Sequence, residues 1–85
     1  MLFSNIFFTD SSCSSNPPER PVGGHRVWEG ESQAYGTTID YLCGPYSEFA
    51  DQQNVNNVGI ITATCLWESN WDTTSIPDCI RKIDD

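Results

Sequence analysis

The sequence predicts an all-β domain of short strands whose stability depends on disulfides, and three observations carry that expectation. The chain has 85 residues, too few to bury a large apolar core. It carries four cysteines, an even number, none of them in a C-x-x-C pair. Stretches of alternating β-branched and aromatic residues recur along it, and no segment longer than a turn shows an apolar stripe at helical spacing.

Taken in order, residues 1–12 open on apolar side chains but have no positive n-region and only a short hydrophobic run, so they make a poor secretion signal. They read as a degenerate signal, a linker or a gene-model scar, and stand apart from the fold. After Cys13, three prolines and two glycines within a few residues forbid a helix interior and set an extended path. A short strand is expected over residues 25–28, then a polar loop over 29–33 containing Gly30. Residues 35–43 read as a strand, with Thr37, Ile39, Tyr41 and Cys43 on one face. Residues 47–58 are polar and rich in asparagine and glutamine, which predicts a long loop or an irregular hairpin tip. Gly59 leads into a second strand over residues 60–66, where Ile61, Ala63 and Cys65 alternate with Thr62 and Thr64. A polar turn at residues 68–70 precedes Trp71, and Pro77 keeps the approach to Cys79 extended.

Charge and cysteine spacing remove several functions. Twelve acidic residues against four basic ones give a formal charge of −8, which repels nucleic acid and anionic lipid alike. No apolar run approaches the roughly 20 residues of a membrane span. The cysteines are separated by steps of 30, 22 and 14 residues, without the short-spaced knuckles that zinc requires, and His25 is the single histidine. Asp40, Glu48, Asp51, Glu68, Asp72 and Asp78 do not form the alternating loop that wraps calcium. No metal and no cofactor is expected. Two disulfides are, and they place the domain outside the cell, secreted or on an ectodomain. Spacing alone leaves all three pairings open.

The strand and cysteine signals sit among further landmarks. Pro18 and Pro21 with Gly23 or Gly24 follow Cys13; Tyr35-Gly36 precedes Ile39-Asp40-Tyr41-Leu42-Cys43; Tyr46 follows the second cysteine. Gly59 precedes Ile61 and Thr64-Cys65, and Trp71 stands before Pro77-Asp78-Cys79. In these residues the chain from 13 to 79 resembles a complement control protein module, also called a sushi domain or short consensus repeat. The resemblance implies an elongated module of short antiparallel strands with the first cysteine bonded to the third and the second to the fourth: Cys13 to Cys65 and Cys43 to Cys79. It also implies a thin core of Trp71, Tyr41, Ile39 and Ile61 between the bridges. Residues 80–85 resemble an inter-module linker or tail.

The sequence departs from that pattern in three places. Cys43-Gly44-Pro45-Tyr46 is one residue tighter than the family spacing and has proline where glycine is usual. The turn before Trp71 has Ser69 and Asn70 in place of glycine, and asparagine tolerates a left-handed backbone. Residues 47–58 form an insertion of several residues.

The resemblance implies a non-catalytic extracellular module that binds a protein partner through exposed loops. The candidate contacts are Arg26, Trp28 and Glu31 near the first loop, hypervariable in the family, Phe49, Asn54, Asn56 and Asn57 in the insertion, and Trp67. Trp28 and Trp67 fall on no family core position, and an exposed tryptophan offers large contact area at low entropic cost. Catalysis is not expected. Serine, histidine and aspartate all occur, but no nucleophile elbow surrounds any serine, and a module of this size rarely encloses the shielded pocket a general base needs. Two alternatives share the same residues: a spacer between neighbouring sushi or other modules of an adhesion or complement-like protein, and an accessory module of a secreted protease.

Overall fold

The computed structural model describes residues 12–82, so all but the last residue of the opening segment 1–12, and residues 83–85 of the expected tail, lie outside the described residues. Five strands are present: β1 Gly24–Val27, β2 Thr38–Cys43, β3 Ser47–Phe49, β4 Ile60–Thr64 and β5 Cys79–Arg81. Every pairing is antiparallel. β2 lies between β1 and β4 in a three-stranded sheet, and β3 pairs with β5 in a two-stranded ribbon. The described residues contain no α-helix; a three-residue 3₁₀ turn, Glu29–Glu31, follows β1. The fold is all-β, and the body is slender, 22 × 19 Å across its short axes.

The two central strands follow from period-two patterning. Ile39 and Tyr41 on β2 are buried, and register sets them against Ala63 and Ile61 on β4, which are buried too. Phe49, Trp71, Cys13 and Cys65 complete the core, with Trp28, Val55 and Ile76 packed against it. β2 starts at Thr38, three residues later than the alternation predicts. Gly36 adopts φ 88° and donates to the Cys65 carbonyl, while Thr37 N–H turns back to the Ala34 carbonyl, so residues 34–37 are spent on a turn.

Residues 50–58 are the irregular loop their composition predicts, but residues 47–49 are not. Residues 47–49 form β3, with Ser47 opposite Arg81 and Phe49 opposite Cys79. The remainder is pinned down: Gln52 Nε2 donates to the Phe49 carbonyl at 2.8 Å, and Val55 packs on the core. β5 carries the folded unit past the last cysteine, so Ile80 and Arg81, expected in a linker, belong to a strand.

The proline-rich segment lies along the sheet from one end to the other and supplies acceptors without needing donors. Pro17, Pro18 and Pro21 are buried. Proline has no N–H to leave unsatisfied, and the carbonyls along this path face the core's polar tips. Ser15 O accepts from Trp71 Nε1 at 3.0 Å, and Pro18 O accepts from both the Tyr41 hydroxyl and Arg26 at 2.6 Å. At its end Gly24 comes so close to β2 and the second bridge that a Cβ there would stand 2.5 Å from Leu42 O and 2.8 Å from Cys79 Sγ.

Cys13 is bonded to Cys65 and Cys43 to Cys79. Cys65 follows β4 at the end of the sheet where β2 begins, and Cys43 closes β2 at the other end, so the bridges pin opposite poles. Their sequence separations of 52 and 36 residues correspond, in the chain-entropy account, to up to about 4 kcal/mol each.

The outer edge of β4 is occupied by two side chains. Asn56 Oδ1 accepts from Ile60 N–H at 2.9 Å while Asn56 N–H donates to Ile60 O. Asp72 repeats the arrangement at Thr64. An open edge is a template for another strand, and these two clips flank Thr62 and take up the positions a partner would use.

Candidate functional site

The predicted contact residues do not converge on one surface; the fold distributes them over three. Arg26 and Trp28 stand at the flank of the sheet and are half-buried. Arg26 pairs with Tyr41 across β1 and β2, which puts its side chain on the core side of the sheet. Its guanidinium lies 4.9 Å over the Trp28 ring while donating to Pro18 O. Trp28 meets Trp71 edge-on at 6.3 Å, and its Nε1 donates to Ser32 O at 2.7 Å. Both side chains therefore close the flank of the core. Glu31 is exposed on the 3₁₀ turn with φ 50°.

In the insertion, Phe49 corrects the expectation: it is 2% exposed, because β3 turns its ring into the core, and it offers no contact surface. Asn56 is exposed, but its side-chain carbonyl already accepts from Val58 and Ile60 N–H. Asn54 and Asn57 are exposed. Between the insertion, β3 and Lys82 lies a cavity of about 540 Å³ whose lining includes Glu48, Gln52, Asn56 and Asn57.

Trp67 differs from all of these. It is 71% exposed, on the turn directly after Cys65. Leu66 N–H donates to Asn70 O and Ser69 N–H to Leu66 O, and the left-handed position of this turn falls on Ser69, φ 73°, rather than on Asn70. The turn therefore projects Trp67 away from the core. Tyr35, which the sequence places in a strand and among the family landmarks rather than among the contacts, is 50% exposed and meets Trp67 edge-on at 4.9 Å. Together with Leu66, Thr64, Gly36 and Glu68 they line an open, mainly apolar groove of about 390 Å³ over the Cys13–Cys65 bridge. Here a predicted contact residue and other exposed apolar groups form a continuous surface.

One titration in the described residues is clearly displaced. Burial raises the Tyr41 phenol above its ordinary 10.0, and the neighbouring Arg26 offsets part of that rise. It belongs to the core rather than to the groove. The described residues contain no cluster of histidine, cysteine, aspartate and glutamate able to hold a metal ion, and no helix long and apolar enough to cross a membrane. Comparison of the chain with protein-family models, with curated proteins and with solved structures finds no match.

Proposed function

We propose that the chain is a secreted, non-catalytic protein-recognition module of the sushi type, which binds a protein partner through the surface around Trp67. The observation that carries this reading is the exposed Trp67–Tyr35 pair held over the Cys13–Cys65 bridge. A large aromatic surface on a covalently fixed turn loses little freedom on binding, so more of its contact energy survives as affinity. The two disulfides are compatible with an oxidising, extracellular compartment. The first-to-third and second-to-fourth pairing on a slender β frame supports the family resemblance.

The test is binding of the purified, oxidised chain to a panel of secreted and cell-surface proteins, alongside Trp67→Ala. Saturable binding that falls at least about tenfold in the variant, a typical hot-spot loss, supports the reading. Saturable binding indifferent to Trp67→Ala would move the contact elsewhere on the module. The spacer reading draws on a different observation, the two bridges at opposite poles, and it predicts that the isolated chain binds no member of the panel.

A further inference from the structure

The cations, unlike the acids, are sorted along the module. Of the four cations, Arg26 is engaged on Trp28 and Pro18 O, and Arg20 donates to Gly24 O near the second bridge. Arg81 and Lys82 lie at that same pole, where Arg81 pairs with Ser47 and Lys82 N–H donates to Tyr46 O. The pole with the aromatic groove carries acids, as the other pole does at Glu48 and Asp78, but it has none of Arg20, Arg81 and Lys82. Glu68 lines the groove, Asp72 is held against Thr64 beside it, and Glu29 and Glu31 lie on the turn leading to Gln33, whose carbonyl accepts from Cys13 N–H.

From this juxtaposition we infer that the Trp67–Tyr35 groove takes a cationic side chain, an arginine or lysine presented by an apolar segment of the partner protein. The inference rests on the recognition role proposed above and names the chemistry of the partner. Indole and phenol faces attract a cation through their ring quadrupoles, and an exposed contact of this kind contributes about 0.5–1 kcal/mol. Glu68 supplies a counter-charge at the same groove, and Leu66 supplies apolar surface for the aliphatic stem of the cation or for its neighbours. The groove lining contains no cation that would repel such a ligand. An acidic segment would meet Glu68 and gain nothing from the rings.

The probe is a capped five-residue peptide with a central arginine between two leucines, compared with the same peptide carrying glutamate in place of arginine. Both are titrated into the oxidised, ¹⁵N-labelled chain at low salt. The indole N–H signals of Trp28 and Trp71 serve as internal references for Trp67. The arginine peptide is expected to move the Trp67 indole and the amides of Tyr35 and Glu68 saturably, and the glutamate peptide to bind at least about fivefold more weakly, the ratio of 1 kcal/mol. Trp67→Ala should weaken the arginine peptide by about fivefold, and Glu68→Gln by about twofold, an effect that vanishes at 0.5 M salt. Trp67 is exposed, so its variant keeps the fold, and unchanged Trp28 and Trp71 signals verify this.

Equal response to both peptides would overturn the inference in favour of an unselective apolar surface. So would no response at the groove, or Trp67 shifts that depend only on protein concentration and reveal a second copy as the occupant. The recognition role and the ligand class fail separately. If a panel protein binds through Trp67 and the arginine peptide does not compete with it, the surface stands and its ligand class is wrong.

Discussion

The two poles are each built around a disulfide, yet the segments that pack beside the two bridges are arranged differently. At the Cys43–Cys79 pole Phe49 enters the core, Gly24 is pressed against β2 and the bridge, and the insertion is tied down by Gln52, Val55 and Asn56, while Tyr46 is 80% exposed. At the Cys13–Cys65 pole the turn after the bridge points outward, with Trp67 and Tyr35 open to solvent. The two tryptophans flanking this contrast differ in kind. Trp28 covers Trp71 and has its N–H satisfied within the protein, whereas Trp67 packs only edge-on against another exposed ring. Covalent closure does not decide whether a neighbouring ring is structural or available; whether a second element passes over the ring does.

The comparison can be broken most severely at the bridges. Replacing Cys13 and Cys65 together by serine should lower the unfolding free energy by about 2–5 kcal/mol in denaturant titration, because a long closed loop is opened in the unfolded chain. Next, Trp28→Ala should cost about 3 kcal/mol by uncovering Trp71 and leaving a void beside the core, whereas Trp67→Ala should stay within about 0.5 kcal/mol of the parent. Equal losses from the two would erase the distinction between covering and contact tryptophans. Gly24→Ala should cost about 1–3 kcal/mol, since the new methyl meets a backbone oxygen and a bridge sulfur that cannot step aside.

The smallest effect is a pH dependence. The Tyr41 phenol has a raised pKa in the folded state, so the unfolded chain releases this proton first as pH rises. Its contribution is full below pH 10.0 and is lost above it as the pH passes through the folded value. Tyr41→Phe should flatten the fall in stability above pH 10.0 and should lower stability at neutral pH by about 1 kcal/mol, the loss of one hydrogen bond to Pro18 O, which keeps Arg26 as a donor. A parent and variant with parallel pH profiles would remove Tyr41 as the source.

How much of this was legible in the sequence depends on how local the cause was. β2 and β4 were legible because five or six residues are enough for alternation to show, and β2 is paired along both edges with one face buried. β3 and β5 were not, since three residues carry no period and they are strands only because each finds the other. Phe49 was misplaced for the same reason: its polar neighbours suggested a loop, and only the pairing of Phe49 with Cys79 directs its ring inward. A large apolar residue with Val55 six positions on, in an otherwise polar stretch, was the available hint. The two tryptophans could not be separated by identity or spacing, because what divides them is whether a second element passes over the ring. Tyr35 was legible as an aromatic in a β context but not as exposed, since the turn at residues 34–37 that turns it outward depends on a hydrogen bond from Gly36 to Cys65.

The crossing of the two bridges also fixes how the module would answer a mechanical load. If it is pulled from Cys13 and from Cys79, tension passes through the first sulfur link to Cys65 and then along the 14 residues to Cys79, the rest of the chain being bypassed. Fully straightened, that path measures about 50 Å. Breaking every strand would therefore release only the slack of those 14 residues, and extension would be capped there until a sulfur link is reduced.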